Sequence, residues 1–203
     1  MFLVRKNNLG FTMVELLAAI VVLGILMGSA VPIVINVMNE QKRDLSIQDA
    51  LRLASNAEYK LRSDNKLDIP ARGHCIAINL TYMDNNAFEK APYGGEYDRL
   101  ASFVVAHRNT RSEQDTSGEE YKFYVRLVEK LESGGYRGVN LINYNNLYAS
   151  GARNTYVSNL STAQARSLSY YKSNTSEFSS ALSASGQSIV CSSVIFVAPD
   201  EYV

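Results

Sequence analysis

The sequence predicts an α+β fold in which one long N-terminal helix packs on an antiparallel β-sheet. Three observations predict it. No charged side chain occurs from Leu16 to Ile35. An amphipathic stripe follows, with Ile47, Ala50, Leu51, Ala54, Ala57 and Leu61 recurring at helical spacing. Beyond residue 63, short apolar segments are separated by glycine-containing turns, the pattern of sequential strands.

The charge-free run fixes the first element. Twenty residues at a rise of about 1.5 Å span about 30 Å, the thickness of a bilayer's hydrocarbon core. Arg5 and Lys6 precede it and Glu40, Lys42, Arg43 and Asp44 follow it. The positive-inside tendency therefore puts the N-terminus in the cytoplasm and the remainder outside. Glu15 stands at the edge of the run, and two readings fit it: a carboxylate at the headgroup boundary, or one that meets a cationic partner inside an assembly. Neither Gly nor Pro occurs between Val34 and Leu67, so one helix is expected from about Phe11 to Arg62, apolar all round in its first half and striped in its second.

Gly10-Phe11-Thr12-Met13-Val14-Glu15-Leu16-Leu17, behind a short basic segment, resembles the processing motif of the type IV pilin superfamily. The resemblance covers about the first forty residues; Met13 stands where leucine is commoner. It implies that a prepilin peptidase cuts between Gly10 and Phe11 and methylates Phe11. It also implies that Glu15 pairs with the terminal amine of a neighbouring subunit. Gly24 and Pro32 fall where the family carries a glycine and a helix-bending proline, and proline chemistry adds an expectation of local unwinding at Pro32. The implied division is a leader at 1–10, a transmembrane and polymerisation helix at 11–38, its amphipathic half at 39–62 and an extracellular head at 63–203. The implied partners are other copies of the chain, minor pilins, the peptidase, the assembly platform and motor, and membrane lipid.

In the head, strands are expected at Cys75–Tyr82, Ser102–His107, Tyr121–Leu131 and Ile189–Ala198, with a weaker one at Val139–Asn143. The third alternates, with Tyr121, Phe123, Val125 and Leu127 on one side and Lys122, Tyr124 and Arg126 on the other. Short turns between sequential strands imply antiparallel pairing, and the preceding helix supplies the covering layer. Residues 85–99 read as a surface excursion. From Asn143 to Ser188 the composition turns to Asn, Ser, Tyr and Ala, which reads as surface display, with a short helix at Thr162–Lys172 capped by Ser161.

Composition excludes several function classes. Twenty basic residues balance twenty acidic ones, so nothing points to nucleic-acid binding. Two histidines and two cysteines without ligand spacing predict no metal site. Glu113, Asp115, Glu119 and Glu120 read as a solvated turn, and Asp200 and Glu201 are too few for a C-terminal calcium loop. With no phosphate-cradling loop and no nucleophile–base arrangement, neither cofactor nor catalysis is expected. His74 and Cys75, adjacent on a strand, face opposite ways and make no catalytic pair. In a disulfide-permissive compartment Cys75 and Cys191 could bridge the first and last strands, or remain two buried thiols. A bridge of that span departs from the short C-terminal loop of many pilins.

The functional expectation is a processed filament subunit for adhesion, motility or DNA uptake. The alternatives are a pseudopilin of a type II secretion or competence system and a single-span extracellular binding module. An ordinary secretory signal cut after Gly28-Ser29-Ala30 would instead leave Val31 first.

Overall fold

A computed structural model describes residues 12–83, 88, 90–187 and 189–198. Two compact units are present, Met1–Gln41 and Lys42–Val203. The elements in chain order are α1 (Met13–Ser63), β1 (Cys75–Asn79), α2 (Leu80–Met83), β2 (Glu96–Tyr97), β3 (Phe103–Arg108), α3 (Arg111–Ser117), β4 (Tyr121–Lys130), β5 (Tyr136–Asn143), α4 (Tyr144–Leu147), α5 (Ala152–Tyr156), β6 (Ser158–Leu160), α6 (Leu168–Ser173), α7 (Thr175–Ala184) and β7 (Val194–Val197).

The first unit is helical from Met13 onward, and each of its large apolar side chains from Met13 to Met38 is at least 47% exposed. The helix passes through Gly24 and Pro32 without interruption, so the local unwinding expected at Pro32 is absent. Proline removes a single N–H, and the turns on either side keep their own bonds.

The second unit is α+β. Its sheet has seven strands in the order β6-β5-β4-β3-β1-β7, with β2 paired to β4. All pairings are antiparallel except β1 with β7, where Cys75 lies beside Val194 and Ile78 beside Val197. The expected antiparallel sheet is present, and β7 adds to it in parallel beside β1. The chain leaves β6, crosses α6 and α7, and re-enters beside β1 in the same direction, as a crossover connection allows.

Strand period places alternate residues on opposite faces, and both faces are covered. On one face, Ile47, Ala50, Leu53, Ala54, Ala57 and Leu61 of α1 pack with Ile76, Ile78, Val104, Ala106, Phe123, Val125 and Leu127. The stripe read from sequence is the buried one, with Leu53 added at full burial and Leu51 only partly buried. Tyr97 Oη donates to Asp49 at 2.6 Å and Arg153 pairs with Asp44 at 2.7 Å, fixing this part of α1 to the domain.

The other face corrects the reading of residues 143–188 as display. Leu168, Tyr171, Phe178, Leu182 and Ile189 pack on Cys75, Ala77, Phe103, Val105, Tyr124 and Leu141. Ser167, not Ser161, caps α6, accepting from Tyr170 N at 3.2 Å. Ser161 closes a local turn with Gln164 instead. The expected first strand also ends early, because Asn79 accepts from Thr81 N and turns the chain into α2. Residues 111–117 form α3 where a turn was expected. Thr110 and Glu113 make a capping box, and Gly118 closes the helix in the left-handed conformation at φ 73°.

Candidate functional site

The candidate site begins at the first described residue. The backbone N–H of Thr12, one residue before α1, finds its acceptor in the Glu15 carboxylate. Glu15 Oε2 accepts from Thr12 N and from Thr12 Oγ1, each at 2.9 Å, while Thr12 Oγ1 accepts from Glu15 N at 3.2 Å. This reciprocal pair is a capping box, and it sets where α1 starts. Glu15 Oε1 has no hydrogen-bond partner among the described residues. Gly10 and Phe11 lie outside the described residues.

Beyond the cap, α1 carries an apolar surface with no buried side chain through the hydrophobic stretch. Length and composition suffice to cross a bilayer. Such a continuous apolar surface must be covered by lipid or by protein. Gly24 and Gly28 have open space around them, and Ser29 Oγ satisfies itself on Leu26 O at 2.9 Å.

The second predicted site lies in the head. Cys75 at the start of β1 is joined to Cys191, just before β7, with Cα atoms 5.5 Å apart. The pairing brings together segments 116 residues apart. His74 turns away from Cys75 to meet Ser193 Oγ at 2.5 Å. The imidazole beside Cys75 belongs to His107, its cross-strand partner on β3, with Nδ1 3.5 Å from Sγ. His107 Nε2 lies 3.4 Å from Glu113 Oε2. Cys75, His107 and Cys191 thus share one place, but with both sulfurs in a disulfide neither is a thiolate nucleophile or ligand. Strand pairing made this triplet, and no sequence spacing could have revealed it.

The acidic residues read as a solvated turn have separate partners. Thr110's backbone N–H and hydroxyl, with His107 beyond them, hold Glu113 down at about 2. Glu120 pairs with Arg108 at 2.9 Å. Sequence reasoning missed two buried charges. Glu129, 2% exposed, is pushed up by burial although it accepts from Tyr93 N and Gly95 N. Arg126, on the strand face opposite Val125 and Leu127 as its alternation implies, is only 1% exposed. Only the unforeseen second helical layer buries it.

Residues 5–31 match the model of the prokaryotic N-terminal methylation motif. The chain therefore carries the prepilin-type signal found at the N-termini of type IV pilins and pseudopilins, and this motif indicates a pilin-like or pseudopilin precursor. Its motif points to a structural subunit rather than an enzyme, and with the apolar helix it fits a membrane-anchored precursor that is processed by prepilin peptidase. No match was found among curated proteins or among solved structures.

Proposed function

We propose that this chain is a type IV pilin-like subunit, cut between Gly10 and Phe11, methylated on Phe11, and drawn from the membrane into a surface filament. The observation that carries the reading is the wholly exposed apolar surface of α1 from Met13 to Met38, headed by a capped glutamate. In a filament that surface is buried among like helices. At about 25 cal/mol per Å² of apolar area removed from contact with water, this is the main driving force once the helix has left lipid.

Glu15 supports the register. Oε2 is held by Thr12 of its own chain, which leaves Oε1 for the Phe11 amine of a neighbour. Among apolar helices neither an amine nor a carboxylate has another counter-charge, so pairing offsets a desolvation that each alone could not bear. Gly24 and Pro32 supply the positions at which the packed helix bends. On this reading residues 1–10 are the leader, 11–38 the transmembrane and polymerisation segment, 39–62 the half that packs on the head, and 63–203 the extracellular domain. Minor pilins and an assembly platform with its motor are the remaining partners.

The test is Glu15→Ala in a strain lacking the wild-type subunit. Processing is expected to continue, read as mature mass with Phe11 first, while sheared filaments are lost. Normal filaments from this variant would refute the pairing. Gly10→Ser is expected to migrate at precursor mass. A mature protein beginning at Val31 would refute the whole reading.

A further inference from the structure

Among the described residues Arg126 is the largest fully buried side chain, and no carboxylate of theirs pairs with it. Its guanidinium donates from Nε to Asn140 Oδ1 at 3.0 Å and from Nη1 to Tyr171 Oη at 3.1 Å, both neutral acceptors. Nη2 has no hydrogen-bond partner among the described residues. The rings of Phe103 and Tyr171 lie 4.9 and 5.3 Å from its centre, which offsets only part of the cost of burying a cation. Unpaired charges of this kind are rare in folded interiors, because each costs several kcal/mol, on the order of a domain's whole margin of stability.

This arginine lines a cavity of about 260 Å³ between β5 and the α6–α7 layer. Its lining is largely apolar, with Ala163, Ala181 and Ala184, and the polar groups left unpaired on it are donors. Asn140 spends its oxygen on Arg126 and Gln164 spends its oxygen on Ser161, leaving both amide nitrogens unbonded among the described residues. Arg166 adds a second cation, stacked on Tyr170 at 4.5 Å. Glu177, the acid lining the same cavity, is already engaged by Arg166 and by Tyr170 Oη.

A backbone irregularity builds the arrangement. Val125 pairs with Ile142 and Leu127 with Val139, so Asn140 and Leu141 together oppose Arg126. Such a bulge turns two successive side chains to one face, which brings Asn140 to the guanidinium. Leu141 bears the strain: buried, and with φ 52°, it holds a left-handed conformation that non-glycine residues rarely adopt.

We propose that this cavity is a binding site for a carboxylate ligand about the size of a single acidic sugar unit. Its carboxylate accepts from Arg126 Nη2 and Arg166, and its hydroxyls bond to Asn140, Gln164 and Ser180. An acceptor-only anion matches the unpaired donors in a largely apolar lining, and the stacked guanidinium is preorganised for a planar carboxylate. The volume holds about one sugar unit, so a polymer would be read through one residue at a time.

The test is isothermal titration calorimetry of the full chain in detergent micelles with sodium glucuronate, beside glucose and sulfate. Wild type is expected to bind glucuronate and not glucose, with sulfate failing to displace it. Arg126→Met is expected to lower affinity at least about tenfold while its unfolding midpoint holds or rises, since removing an unpaired buried cation relieves a cost. Gln164→Ala, on the cavity wall, is expected to weaken binding several-fold and decides the matter if Arg126→Met does not fold. No binding of glucuronate at about 10 mM, equal binding of glucose, displacement by sulfate, or unchanged affinity in a folded Arg126→Met protein would each overturn the proposal.

Discussion

Opening the Cys75–Cys191 bridge should be the most destabilising single change that leaves the core packing intact. The bridge closes a loop of 116 residues. In the chain-entropy model that removes about 16 cal/mol/K from the unfolded ensemble, or about 4.8 kcal/mol at 25 °C as an upper value. The perturbation is Cys191→Ser. Cys191 is only partly buried, so its own packing is a small part of the effect, and Cys75 stays in place as a buried thiol against His107. In a domain of this size about 1 kcal/mol moves the melting point by about 2–4 °C, so the upper value corresponds to a fall of about 10–19 °C. The assay is guanidinium unfolding followed by circular dichroism, with and without reductant. The variant should match the reduced wild type. Its m-value should rise, because an uncrosslinked denatured chain exposes more surface. A variant within about 0.5 kcal/mol of the oxidised wild type would refute the reasoning, as would two free thiols found by mass in the wild-type protein.

Other predictions follow from single contacts. Glu113 is held below its ordinary 4.5, at about 2, so its contribution to stability is present above pH 4.5 and is lost as pH falls toward 2. Glu113→Gln keeps an acceptor for the cap and should cost less than about 1 kcal/mol at neutral pH, since the group is well exposed, while flattening the acid limb of a urea-stability profile. Gly138→Ala places a Cβ against the Leu127 carbonyl oxygen across the β4–β5 pair, at φ +148°; a loss of at least about 3 kcal/mol or no soluble protein is expected on thermal melting. Leu53→Ala empties a fully buried site between α1 and the sheet and should cost about 2–5 kcal/mol by denaturant unfolding.

Local patterns made one half of the molecule readable. The bilayer-length run, the stripe from Ile47 to Leu61 and the alternation of β4 are properties of consecutive residues, and helix and strand periods convert them directly into faces. The strand at Tyr136–Asn143 was legible only in part, because its bulge breaks the alternation at Asn140 and Leu141. The Thr110–Glu113 capping box stood in the sequence and would have located α3, but the surrounding acidic residues suggested a turn.

The sequence by itself determined the long helix, its apolar and striped halves, the processing motif and the presence of a sheet, because each is encoded within a few turns or one strand. Tertiary structure alone decided that β7 runs parallel to β1, that a serine-rich segment folds into α6 and α7 over the second face, and that Cys75, His107 and Cys191 meet. It also decided that Arg126 is buried beneath those helices, on the wall of the cavity they leave. The physical reason is the same in each case: these features depend on which distant segments become neighbours. That is set by burying both faces of one sheet at once, and no local period records it.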